Sequence, residues 1–159
     1  MRKVPKWITK YPRRKYAFKD LPSEAKKAVV IYMWGARADV KEVENQERLP
    51  FAAIVKEFED VNGGVPFEIY KVPVSVVAKK AMEEANERDG AGFENLDEWH
   101  ENYIGSEELP NHKKVWPLLG GDEEEVIQDG WHRLHLYYEN GVRIVPVLFF
   151  LDFVDNIFA

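Results

Sequence analysis

Asp129, Gly130, Trp131, His132 and Arg133 are consecutive, and their order could place a carboxylate, an imidazole and a guanidinium around one turn. If a strand ends at Asp129 and a helix begins just after Gly130, unpaired N–H groups and the positive end of the helix dipole face the ligand side. Gly130 then allows close approach, Arg133 offers a fork matched to phosphate or carboxylate, and His132 can donate a hydrogen bond or move a proton near neutral pH. Such a site suits an anion, above all a phosphate, with Gly130, Trp131, His132 and Arg133 as binding residues and Asp129 and His132 as candidate catalytic groups. A second chemistry uses His132 and His135, whose i, i+3 spacing lets two imidazoles share a metal ion with Asp129 completing the shell. His100 and His112 are further imidazoles, and the arrangement would serve metal-assisted hydrolysis or a nuclease. A purely structural alternative has Asp129 capping the helix and Arg133 paired with Glu139 or with Asp122, Glu123, Glu124 and Glu125. The absence of cysteine removes thiolate nucleophiles, disulfides and thiolate metal sites, and agrees with a reducing, cytoplasmic setting.

The elements that must position this turn follow from periodicity and punctuation. Ala25, Ala28, Val29, Tyr32 and Met33 recur at helical spacing after Pro22, with Ser23 as the expected N-cap. A second helix starts near Pro50, stacks Phe51, Ile54, Val55 and Phe58, and ends at Asn62-Gly63-Gly64. Between them, residues 37–48 are mostly charged and expected to be exposed. Residues 67–72 alternate as a strand; Pro73 breaks the ladder and Ser75 is the expected cap of a helix running to about Glu87. Asn95 with Glu98 makes a capping-box start for Leu96, Trp99 and Tyr103. Residues 76–112 therefore form a helical insertion. Residues 115–119 and 125–128, separated by Gly120-Gly121-Asp122, read as a hairpin. The helix with Leu134, Tyr137 and Tyr138 closes at Asn140-Gly141 before a strand over residues 143–149. The apolar tail, residues 150–158, should pack down or meet a partner.

A chain of 159 residues, 45% hydrophobic, can bury one good core, so a single α+β domain over residues 1–159 is expected. No window is apolar enough to span a membrane, and charges occupy the N-terminus where a signal peptide is apolar. The net charge of −6 hides an asymmetry: residues 1–20 carry eight basic side chains against Asp20 alone, leaving 14 basic and 27 acidic in the remainder, a balance of −13. With Trp7, Tyr11 and Tyr16 interleaved, this arm could meet nucleic acid, but an extended segment lying on the acidic body is the preferred reading.

Val126-Ile127-Gln128-Asp129-Gly130-Trp131-His132-Arg133, then a helix, Gly141 and Ile144-Val145-Pro146-Val147, resembles the ParB N-terminal and sulfiredoxin superfamily. Upstream, Ile69-Tyr70-Lys71-Val72-Pro73-Val74 with Val76-Val77 is similar to the family's first strand, proline and helix, so the resemblance covers residues 66–149. It implies a small mixed sheet with N-terminal helices, a Gly-x-His-Arg turn in which Gly130, His132 and Arg133 contact nucleotide phosphates, and a nucleoside triphosphate with Mg²⁺ as cofactor. Two departures limit it. Sulfiredoxins place their catalytic cysteine directly before His-Arg, where this chain has Trp131, so sulfinic-acid reduction is excluded. ParB-type proteins continue into a further nucleotide-binding segment and a helix-turn-helix, which the ten or so residues after the last strand do not provide. Glu44-Asn45-Gln46-Glu47-Arg48 is similar to an acidic-Asn-Arg motif of those proteins but precedes the turn, and is read as coincidence.

Two functional readings emerge. The first is a nucleotide- or phosphate-ligand-binding domain, with hydrolysis as an extension. The second is a non-catalytic protein-interaction or inhibitor protein using the same fold, its acidic body and its apolar tail.

Overall fold

The computed structural model describes residues 4–35, 38–104 and 114–159. It is an α+β domain with a five-stranded mixed sheet and, among the described residues, six α-helices. In chain order these are β1 (Arg13–Ala17), α1 (Ser23–Trp34), α2 (Val40–Glu47), α3 (Phe51–Asn62), β2 (Pro66–Pro73), α4 (Val74–Asp89), α5 (Leu96–Ile104), β3 (Leu118–Gly120), β4 (Ile127–Asp129), α6 (Trp131–Glu139) and β5 (Ile144–Phe150). The sheet order is β1-β2-β5-β3-β4, antiparallel throughout except for the parallel pair β3 and β5.

Strand alternation sorts the apolar residues onto two faces. Tyr70, Val72, Val145, Val147, Phe149 and Leu118 turn toward α4, α5 and α6, where Val77, Ala78, Ala81, Trp99, Leu134 and Tyr137 complete one core. Phe67, Ile69, Leu119 and Leu148 turn the other way onto α1 and α3, with Val29, Val30, Ile54 and Phe58. Because helices cover both faces, β5 reads as the nearly unbroken apolar run Ile-Val-Pro-Val-Leu-Phe-Phe and not as an alternation.

Several local expectations change. Residues 37–48 include a helix, α2, which Asp39 caps by accepting from the Glu42 N–H at 2.7 Å; Arg37 lies outside the described residues. The α2 surface is mostly exposed, but Val43 is buried, and Glu44 accepts from the Phe51 N–H at 2.8 Å, joining α2 to the start of α3. Neither Ser23 nor Ser75 caps a helix: α1 and α4 follow Pro22 and Pro73, whose extended ψ values of 150° and 134° lead the chain in without a side-chain cap. Pro73 still pairs with Ile144, so β2 runs directly into α4. Part of the basic arm is an edge strand, β1, and the arm is anchored by the fully buried Ile8.

The tail packs down as expected: Leu151 and Val154 are buried, and Phe158 stacks on Phe58 with centroids 6.0 Å apart. Phe153 remains 80% exposed. The span expected as a helical insertion contains α4 and α5, while residues 105–113, including His112, lie outside the described residues, as does the Tyr103 side chain. Among the described residues no helix is long and apolar enough to cross a membrane.

Candidate functional site

The hairpin of β3 and β4 delivers the chain to Gly130. Leu119 pairs with Asp129 and Gly120 with Ile127, a register shift that makes a bulge just before the turn. Gly130 adopts φ 108°, a left-handed value that directs the chain into α6. A Cβ there would lie 2.9 Å from Leu118 Cδ2 and 3.0 Å from Arg133 Nη2, so the absence of a side chain is also what admits the guanidinium. The first bond of α6 runs from the Leu134 N–H to the Gly130 carbonyl at 2.9 Å, and no side chain caps the helix start. The N–H groups of Trp131, His132 and Arg133 precede that bond and carry the positive end of the helix dipole.

Arg133 folds back along the turn. Its Nη2 lies 3.4 Å from Asp129 Oδ2, and its side chain is only 11% exposed against 30% for Asp129. Burial pushes the guanidinium pKa down, while Asp129 and then Tyr137 act in the opposite direction. The structural alternative is therefore corrected in its partners: Asp129 meets Arg133 and does not cap α6, and the described ion pair of Arg133 is to Asp129, not to Glu139 or the acidic loop. Asp122 instead organises its own loop by accepting from the Glu124 and Glu125 N–H groups, each at 2.8 Å. Trp131 is half-buried against the first core and His132 is exposed at the helix start. Of the residues assigned to the site, the structure thus brings Asp129, Gly130 and Arg133 into one cluster, with His132 beside it on the solvent side.

The second imidazole has a different role. His135 is buried, stacks on Trp99 with centroids 3.9 Å apart, and brings its Nδ1 to 3.0 Å from His100 Nδ1. Burial, followed by the nearby His100 and His132, pushes its pKa down to about 3. No group of three or more His, Asp or Glu side chains able to hold a metal ion occurs among the described residues, so His132 and His135 gain no third ligand there. Chemically, the turn can hold an anion at backbone N–H groups, with the Arg133 guanidinium beside them and 3.4 Å from the Asp129 carboxylate.

Sequence spacing placed Trp99, Tyr137 and Tyr138 in the patterns of their helices and counted His100 as a further imidazole of the metal reading, but missed how they support α6. Tyr137 ties the helix to the segment before β3, its hydroxyl accepting from the Trp116 N–H at 2.7 Å and donating to the Trp116 carbonyl at 3.2 Å. Burial pushes the Tyr137 hydroxyl pKa up. Tyr138 donates to Asp97 at 2.6 Å, and burial first and this hydrogen bond second raise its pKa to about 12. The i, i+3 pair of Tyr138 and His135 with Trp99 in the capped helix upstream was the available signal. Comparison of the chain with family models, with curated proteins and with solved structures finds no match.

Proposed function

We propose that this chain is a ParB/sulfiredoxin-like domain that binds a phosphorylated small molecule, in its most specific form a nucleotide with Mg²⁺, at Gly130, Trp131, His132 and Arg133. The observation that carries the proposal is the conjunction at Gly130: a left-handed φ of 108° opening a helix that no side chain caps, with the Arg133 guanidinium packed against the same position. A backbone of this form presents N–H groups to an anion, and a charged fork beside them adds attraction without a large movement. Asp129 holds that fork in waiting, and the separation of 3.4 Å leaves the pair weaker than a close ion pair. Binding is the primary activity, with hydrolysis by way of Asp129 or His132 as an extension of it.

A thermal-shift screen of nucleoside di- and triphosphates and inorganic phosphate, with and without Mg²⁺, tests the proposal. A true ligand at a hundredfold excess over its dissociation constant stabilises the fold by about 2.7 kcal/mol. The informative variant is His132→Glu at the exposed helix start. A carboxylate there complements the helix dipole and preserves or raises the unliganded melting temperature, yet repels an anionic ligand and erases the shift. Absence of a shift with every nucleotide and with phosphate would leave the turn a purely structural one.

A further inference from the structure

The basic N-terminal segment is not consumed by the proposed phosphate site. Among the described residues β1 has a single neighbour, β2, and forms one edge of the sheet. The Lys71 N–H donates to the Pro12 carbonyl and the Phe18 N–H to the Val65 carbonyl, both at 2.9 Å. With the register Arg14 to Ile69 and Tyr16 to Phe67 between them, the even-numbered residues turn their backbone groups toward β2. The N–H and C=O groups of Arg13, Lys15 and Ala17 therefore face outward, available to another strand.

Charge narrows what that strand can be. Arg13 is committed to Glu68 at 2.9 Å, but Lys10, Arg14, Lys15 and Lys19 form no ion pair with a described residue. Arg14 and Lys15 project from opposite faces of β1, so cations flank the outward backbone on both sides. A second copy aligned edge to edge would set these cations against themselves, which closes the edge to self-pairing. Nucleic acid is disfavoured by the aromatics. Trp7 and Tyr11 pack on one core and Tyr16 on the other, while Lys10 Nζ lies 5.5 Å from the Tyr11 ring centroid and Arg14 Cζ 5.4 Å from that of Tyr16. Rings held in this way are poor platforms for stacking bases.

We infer that the outer edge of β1 is a docking site for an acidic, extended segment of a partner protein, which adds as a sixth strand through the backbone groups of Arg13, Lys15 and Ala17 and is selected by Arg14, Lys15, Lys10 and Lys19. Main-chain hydrogen bonds supply the pairing, and adjacent carboxylates, one to each face, reach the cations on both sides of β1.

Fluorescence polarisation with a labelled peptide of repeated Glu-Glu-Val-Val, the matching Lys-Lys-Val-Val peptide, and an oligo-dT strand tests this, the paired Glu residues placing carboxylates on both faces of the added strand. The Glu peptide binds, the Lys peptide does not, and Arg14→Glu with Lys15→Glu weakens binding roughly tenfold or more, as expected for removing and reversing two exposed charges. Ala17→Pro removes one outward N–H at a φ of −78°, which proline adopts, and leaves every cation in place. It weakens the Glu peptide as well, and amide hydrogen exchange at Arg13 and Lys15 slows when that peptide is bound. Failure of the Glu peptide to bind would overturn the inference. So would binding that ignores Ala17→Pro and leaves exchange unchanged, tighter binding of oligo-dT, or self-association of the wild-type protein through this edge.

Discussion

His100 and His135, on α5 and α6, face each other with their Nδ1 atoms 3.0 Å apart inside the protein. A hydrogen bond between two ring nitrogens needs one donor and one acceptor, so the contact holds one proton and its two rings must take complementary tautomers. Trp99 stacked on His135 and the Tyr138 to Asp97 bond brace the same junction. The helix that opens at Gly130 is thereby held from its far side, and the site's rigidity depends on residues remote from it in sequence.

Acid should loosen this junction. His135 is held neutral to about pH 3 by burial and by the nearby His100 and His132, whereas in the unfolded chain it takes up a proton near its ordinary value of 6.5. Its folded pKa is the lower one, so its influence is absent above pH 6.5, and stability falls as pH drops from 6.5 toward 3. The slope from this one group is at most about 1.4 kcal/mol per pH unit. Melting temperatures from pH 7 to 4 should fall less steeply in His135→Phe, which keeps the ring stacked on Trp99 but cannot titrate. Equal slopes would assign the acid sensitivity to other groups.

Two glycines of the β3–β4 region should differ sharply when changed to alanine. At Gly120 the new methyl would enter the ring of the buried Phe149, itself set edge-on to Tyr70 at 5.7 Å. That change should cost more than about 3 kcal/mol, the upper end for overpacking. Gly130→Ala meets a left-handed φ, Leu118 and the movable end of Arg133, and should cost about 2 kcal/mol. Urea denaturation of both variants should preserve this order.

Asn62 clamps the C-terminal tail. Its side-chain amide donates to the Asp155 carbonyl at 3.0 Å and accepts from the Asp155 N–H at 2.9 Å. Asn62→Ala removes two neutral hydrogen bonds at a buried position and should destabilise by about 2 kcal/mol. Proteolysis should then begin in the tail, read as early loss of C-terminal peptides by mass spectrometry. Deleting residues 150–159 is a harsher change than a partner-binding test can use, since it removes the buried Leu151 and Val154.

The edge strand has its own anchor in the Glu68 carboxylate, buried and accepting from Tyr70 Oη and Arg13 Nη1, each at 2.9 Å. Burial, then the bond to Glu68, pushes the Tyr70 hydroxyl pKa up. Tyr70→Phe keeps the ring in the core but removes one donor from a buried acceptor, and should cost about 1 to 3 kcal/mol. Hydrogen exchange at the inward-facing amides of Arg14 and Tyr16 should quicken in step.

The sequence by itself determined what short-range physics controls. Pro22, Pro50 and Pro73 mark helix starts, Gly90 and Gly141 mark ends in the left-handed region, and the strand from 67 to 72 and the hairpin around 121 are written in alternation and turn residues. The strand-turn-helix at Gly130 belongs to this class, because its residues are adjacent and its conformation is local. Tertiary structure decided what depends on partners far along the chain. Arg13, Arg14 and Lys15 are three cations in a row with no alternation to announce a strand; they form β1 because β2 pairs with the backbone of Arg14 and Tyr16, and Glu68 receives Arg13. His135 had the spacing of a metal ligand, and its burial against Trp99 and His100 came only with the docking of α5 on α6. Arg133 had several acidic candidates within reach in sequence. The left-handed turn at Gly130 brought Asp129 to it, because an absent Cβ left space for the guanidinium there.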